Sequence, residues 1–467
     1  MPSIIERIGD ARHRRTALLA GSALGVYLLV VVGATTSVLE AGTACHSWPT
    51  CNGRLLPSFE PMAILAWGHR ALGLVVGILL VVTLLTVWRH DRMGVRAAVT
   101  GAAVLYPVQT LIGAAIAVNG ASVAVATIHL TVAVTIFTSL LVGLLWHLEA
   151  AEHGARSTSR TDTTDAGTPV DPAVSPVDSR LGIAKAYLRL TKPRLWWLLA
   201  LVAVAAMALA AGPSLSAYNV LATVTGGVLA IAASGTFNNL LERERDRQME
   251  RTADRPLLNG TIRPRHAWVY GASLTIASMV VFIAFVNVLA AALGFLAILY
   301  YSVVYTLLLK PNTEKNIAIG GAVGGFPALI GWAAVTNTVG LPSLALGAVV
   351  VLWTPAHFYN LALAYKEDYS RADFPMLPIV SGEAVTRRHI LLYFGATMVG
   401  AITLGMADTL SWLYAAVIVV AGVVFLWAIV RLFEERTDAA AFRTFHAANA
   451  YLGLLLFAVV VDALVLL

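Results

Sequence analysis

Charge is scarce in this chain of 467 residues, with Asp, Glu, Lys and Arg together making up 12%. Soluble domains carry about a quarter charged residues, so a water-facing globular enzyme is excluded for most of the length. Cysteine is scarcer still, with two residues, Cys45 and Cys51. That excludes a disulfide-dense secreted scaffold and a cysteine-built metal cluster. What fills the chain is hydrophobic, 58% of residues, in runs of about 20, the length that crosses a bilayer as helix. The net charge of +6 is therefore no sign of nucleic acid, because Lys and Arg gather in the loops kept inside a membrane. Residues 1–15 are charged and polar, and the apolar run after them has no small-residue cleavage site. They read as the lead into a first transmembrane helix and not as a removed signal peptide.

Four spans are predicted near 17–39, 63–88, 97–118 and 123–147. Nine more follow near 195–213, 217–240, 267–286, 288–308, 316–336, 342–362, 390–407, 411–431 and 447–467. Residues 149–180 are rich in Ser, Thr, Asp, Pro and Ala and lack bulky apolar side chains, so they read as a flexible linker. The expectation is an all-α polytopic membrane protein: a four-helix N-terminal domain (1–148), the linker, and a nine-helix domain (181–467). Basic residues recur in alternate loops, at 7–15, 89–96, 192–194, 243–265, 310–315, 366–388 and 431–443. This alternation predicts a cytoplasmic N-terminus and cytoplasmic loops there, and puts the Cys45/Cys51 loop outside. Outside, a disulfide persists. The short spacing permits a small loop closed by one bond, with two free thiols as the alternative.

Polar residues near membrane depth are costly and are functional candidates. The richest set is Asn238, Glu242 and Asp246, spaced by four and so sharing one helix face. Three oxygen-bearing side chains suit Mg²⁺ shared with a diphosphate, and Arg243, Arg245, Arg247, Arg251 and Arg255 stand around them. From spacing alone the segment fits equally a loop helix laced with ion pairs. Two further clusters, Lys310–Lys315 and Lys366–Tyr369, lie on the same side, and three such loops together suit the cap of one cavity.

These residues carry a resemblance. Asn238…Glu242…Asp246…Arg251-Thr252…Arg255-Pro256 resembles the first aspartate-rich motif of the UbiA-type prenyltransferases, and Tyr187-x-x-Leu190-Thr191-Lys192-Pro193-Arg194 resembles the opening of their protohaem IX farnesyltransferase branch. Trp353-Thr354-Pro355-x-His357-Phe358, Lys366-Glu367-Asp368-Tyr369 and Pro375-Met376-Leu377-Pro378 resemble their protohaem IX farnesyltransferase (haem O synthase) branch, over roughly 184–467. The resemblance implies a nine-helix UbiA-type bundle in the cell membrane that joins farnesyl diphosphate to a vinyl group of haem B. It implies Mg²⁺ on Asn238, Glu242 and Asp246, with Asp368 for a second ion, and diphosphate contacts from Arg194, Arg251, Arg255, Lys310 and Lys366. Glu242 departs from the family, which has Asp there. Tyr301 or Tyr305 is a candidate to shield a cation by its ring face, and His357 a candidate haem contact; packing is the plainer role for each.

In the first part, His69 and His129 sit at similar depth in two spans of the same direction, which suits one haem between two helices and equally two structural histidines. Cys45…Trp48-Pro49…Cys51-Asn52-Gly53, His69-Arg70 and His129-Leu130 resemble one half of haem A synthase, over about 17–147. That family has two such halves and a Glu one turn before the first His, where this chain has Ala66. The first part therefore reads as a haem-binding or partner module. The partners implied are haem A synthase or terminal-oxidase assembly proteins. Other readings are a UbiA-type enzyme acting on a quinone precursor or lipid, and a non-enzymatic haem-binding subunit or transporter.

Overall fold

The structure, a computed structural model, describes residues 4–155, 180–406 and 410–466, and contains no strand element among them. Four long helices come first: α1 (Ile4–Val38), α2 (Pro61–His90), α3 (Met93–Asn119) and α4 (Val123–Ala155). Next are α5 (Arg180–Leu190), α6 (Trp196–Ala211), α7 (Ala217–Leu241) and the short α8 (Arg243–Asp246). After α9 (Pro264–Phe285), α10 (Val288–Leu299) runs on without a break as a π-helical segment, Tyr300–Leu309. Then come α11 (Asn316–Gly320), α12 (Phe326–Thr336), α13 (Leu341–Ala364), α14 (Lys366–Arg371) and α15 (Leu377–Val380). The last three are α16 (Glu383–Gly405), α17 (Trp412–Glu435) and α18 (Asp438–Val461).

Twelve helices among the described residues are long and apolar enough to cross a membrane, and the chain is a multi-pass membrane protein. The expected span 390–407 falls in α16, which stands outside the twelve; Glu383, Arg387 and Arg388 charge its first two turns, and residues 407–409 lie outside the described ones. Both ends of the expected linker 149–180 are helical. Glu149–Ala155 is rich in helix-forming Ala and Glu and continues α4, and Arg180 opens α5. Residues 156–179 lie outside the described residues.

The chain divides into two compact units, Met1–Arg160 with Phe394–Arg436, and Thr161–Tyr393 with Thr437–Leu467. In the first, α1 to α4 are held by core packing and by a few buried polar ties. The Ser22 and Thr83 hydroxyls meet at 2.8 Å, and Ser139 donates to the Ala98 carbonyl at 2.8 Å. His147 Nδ1 lies 2.6 Å from Asp91 Oδ1, with the His147 Nε2 against Thr16. Such interhelical bonds each add about 0.6 kcal/mol in a bilayer. The segment 394–436, distant in sequence, packs on these helices: Glu434 lies 3.3 Å from His13 of α1, and a Cβ on Gly395 would lie 2.6 Å from the Leu141 side chain of α4.

In the second unit small residues let helices meet at backbone distance. A Cβ on Gly331 of α12 would lie 2.1 Å from the Ala203 carbonyl oxygen of α6, so α6 and α12 touch there without side chains between them. A Cβ on Gly320 would lie 2.2 Å from the Tyr305 ring, which seats the π-helical segment against α11.

Candidate active site

The polar centre of the second unit is built at the end of α7. Asn238, Glu242 and Asp246 are all buried, on the one face that their spacing predicts. Lys192 Nζ donates to Asn238 Oδ1. Lys192 itself is held at φ 53, a left-handed conformation that costs a non-glycine residue of order 1–3 kcal/mol and persists where surroundings fix it. Pro193 follows it and starts the turn into α6. Asn238 Nδ2 donates to Thr306 Oγ1 at 3.0 Å, and that hydroxyl donates to the Tyr301 carbonyl at 2.8 Å. The π-helical turn brings Tyr301, Tyr305, Thr306 and Lys310 together here: Lys310 N–H bonds back five residues, to the Tyr305 carbonyl.

Glu242 caps α7 and takes an ion pair from Lys310 at 2.6 Å, both side chains buried. Asp246 pairs with Arg255 through one oxygen; the other, Oδ1, is buried without a partner. Burial works to raise the Glu242 carboxyl, but Lys310 and Lys192 outweigh it and hold it below the usual range. Burial pushes the Asp246 carboxyl up, helped by Glu242 and opposed by Arg255. Burial, with Arg255 beside it, takes the Lys192 ammonium down to about 7. Among the described residues no three His, Cys, Asp or Glu side chains converge as a ready metal cage. Two carboxylates, one amide and an open Asp246 oxygen are what Mg²⁺ uses when substrate phosphate supplies the remaining ligands.

A second layer covers this centre. Asp368 accepts the Glu250 and Arg251 backbone N–H groups at 3.0 and 3.2 Å and Arg371 at 2.6 Å. Its carboxyl is held low by Arg371 and these two amides, against its burial. Arg251 lies over the Tyr365 ring at 4.4 Å and donates to the Tyr369 hydroxyl. Lys310 stands over Phe374 at 4.5 Å. Lys366, by contrast, is partly exposed and pairs with Glu383 at 2.6 Å and Glu367 at 3.6 Å, none of them in the Asn238–Asp246 set. Arg194 is exposed and has no partner among the described residues. His357 is stacked between Trp353 and Phe445, 4.3 and 4.4 Å between centroids, its Nδ1 buried and unpartnered. Sequence reasoning assigned no role to Lys192 or Thr306; the quoted Thr-Lys-Pro-Arg run was the available signal for the first.

An apolar pocket adjoins the polar centre, lined by α6, α7, α10 and α12. Ser234, Gly235 and Tyr301 line its near end, and Ala203, Thr223 and Ile330 its far end.

In the first unit, Cys45 and Cys51 form a disulfide, and Arg70 holds its loop through the carbonyls of Cys45, Ser47 and Thr50 at 2.6–2.8 Å. His69 and His129 lie against glycines: Cβ atoms on Gly33 and Gly113 would be 2.9 and 3.1 Å from their rings. Gln109 Nε2 is 3.2 Å from His129 Nε2, and both histidine Nδ1 atoms are buried without partners.

The model of the UbiA prenyltransferase family matches residues 198–455. A protein of Natronomonas pharaonis named protoheme IX farnesyltransferase 1 is 50% identical over 96% of this chain and 98% of its own. A Haloarcula marismortui protein named protoheme IX farnesyltransferase is 50% identical over 97% of this chain and 98% of its own. A solved structure described as a digeranylgeranylglyceryl phosphate synthase in membranes is similar in fold, with TM-score 0.51 and 18% identity, over 60% of this chain and 99% of that one.

Proposed function

Given that the chain belongs to the UbiA prenyltransferase family and, within it, to the protoheme IX farnesyltransferases, we propose that it joins farnesyl diphosphate to a vinyl group of haem B and yields haem O. The observation that carries this reading is one juxtaposition. A buried amide–carboxylate face ringed by Lys192, Arg255 and Lys310 adjoins an apolar pocket. The cations take the diphosphate and the cavity takes the prenyl chain.

In this reading the C1–O bond of farnesyl diphosphate breaks and the electron pair leaves with the diphosphate. Asn238, Glu242 and Asp246 would hold Mg²⁺, which would supply positive charge to the departing oxygens. Lys310, Arg255 and Lys192 are fixed before the reaction and stabilise the charge as it develops, often the largest single contribution to catalysis. Tyr301, lining the cavity's near end, turns its ring face to the allylic cation. The haem vinyl group attacks C1, and water adds to the resulting cation with loss of a proton, leaving a hydroxyethylfarnesyl side chain. Asp368 holds the Arg251 backbone in place, and its remaining lone pair is where a second Mg²⁺ would bind. Lys366 and Arg194 serve as outer diphosphate contacts as the substrate enters. The alternation of basic loops supports a cytoplasmic position for this site.

For the first unit the reading is a haem between His69 and His129, supported by the two glycine recesses and the unpartnered ring nitrogens. Ala66 supplies no acid, so no side-chain oxidation is assigned to it.

The test uses membranes holding the whole chain, supplied with haem B, farnesyl diphosphate and Mg²⁺. Extracted haem should gain the hydroxyethylfarnesyl mass, and Asp246→Ala should remove that product. Unchanged haem from the wild-type chain would overturn the reading.

A further inference from the structure

We infer that Gly227 sets the length of prenyl chain that the cavity accepts; this rests on the prenyl-diphosphate reading of the site. Gly227 lines the cavity from α7, and a Cβ built on it meets nothing within 4 Å. Its neighbour behaves oppositely, since a Cβ on Gly226 would strike the Phe282 ring at 2.9 Å. Gly226 is small so that helices pack, whereas Gly227 is small where there is empty space to keep.

The place of that space decides its effect. Along α7, at about 1.5 Å per residue, Gly227 is roughly 16 Å from Asn238 and Thr223 roughly 22 Å. An extended isoprene unit, four carbon–carbon bonds of about 1.5 Å in zigzag, spans roughly 5 Å. From a diphosphate beside Asn238, the third unit of a farnesyl chain ends level with Gly227, and a fourth would run on to Thr223. At that far end, Ala203 and Ile330 line the cavity where α6 and α12 touch at the Gly331 contact. The Thr223 hydroxyl is buried there without a partner. A side chain at position 227 therefore occupies the volume of the third isoprene unit and leaves that of the first two.

The test compares the whole wild-type chain with Gly227→Ala and Gly227→Leu on geranyl and farnesyl diphosphates, with haem B as acceptor. The readouts are the kcat/KM ratio of the two donors and the ratio of their Kd values. Pocket discrimination by a methylene or two falls in the range of about 10–200-fold. The farnesyl-to-geranyl ratio should fall several-fold in Gly227→Ala and at least about tenfold in Gly227→Leu. An unchanged ratio overturns the inference, whether both donors run at full rate or both are lost alike. If the wild-type chain prenylates no haem, the functional reading fails, while the Kd ratio still decides the role of Gly227.

Discussion

Lys310→Met removes the cation from a carboxylate that stays buried. Glu242 is 5% exposed and Lys310 9%, with 2.6 Å between the charges. Breaking such a pair costs about 3–5 kcal/mol, because the remaining charge is left without compensation. Lys192 and Arg255 still face Glu242, so the lower end applies, about 3 kcal/mol or roughly 150-fold in the folding equilibrium. The double change Glu242→Gln with Lys310→Met removes both charges, and stability should return to within about 1 kcal/mol of wild type, since an apolar or neutral replacement of a buried pair is close to neutral. Activity should not return, because both groups act on the diphosphate and its metal ion; a loss of roughly 100-fold or more is expected, as for removal of one preorganised donor. Denaturant or thermal unfolding in detergent reads the first quantity and haem prenylation the second. A double variant that recovers both would show the pair to be packing, and would refute the assignment of the site.

Asp246→Asn keeps the shape and removes the charge opposite Arg255, so transfer should fall about 100-fold or more; chelation of Mg²⁺ should silence the wild-type chain, and added Mg²⁺ should restore it. A variant as Mg²⁺-responsive and active as wild type would exclude Asp246 from the metal site. Gly320→Ala forces a methyl to 2.2 Å from the Tyr305 ring and should cost about 1–3 kcal/mol by overpacking, seen as a lower Tm. An unaltered Tm would mean that the π-helical segment yields freely. His69→Ala and His129→Ala should each abolish a haem absorbance carried by the purified chain while farnesyl transfer continues; a spectrum unchanged from wild type in both variants would remove the haem from this unit.

The helices were legible because apolar runs near 20 residues have one solution in lipid, and among the described residues each expected span is helical apart from a residue or two at its ends. The Asn238–Glu242–Asp246 face was legible because a period of four is a property of any helix. Contacts made across the sequence were not. Lys192 reaches Asn238 from 46 residues away through a left-handed turn, and nothing local marks that reach. Asp368 was legible as a carboxylate beside the site, but its bonds to the Glu250 and Arg251 backbone amides, 118 and 117 residues distant, were not. Lys366 was legible as a cation at this side of the fold, but its pairing with Glu383 at 2.6 Å was not. The packing of 394–436 with the first helices was equally hidden, because apolar helices carry no label for their neighbours in the core.

The most direct test of the diphosphate site follows the leaving group. Purified whole chain, haem B, Mg²⁺ and farnesyl diphosphate are mixed, and released diphosphate is counted against prenylated haem. One diphosphate per haem O is predicted, with both falling together in Lys310→Met and in the absence of Mg²⁺. Haem O formed at the wild-type rate by Lys310→Met, or without any divalent ion, would contradict the account.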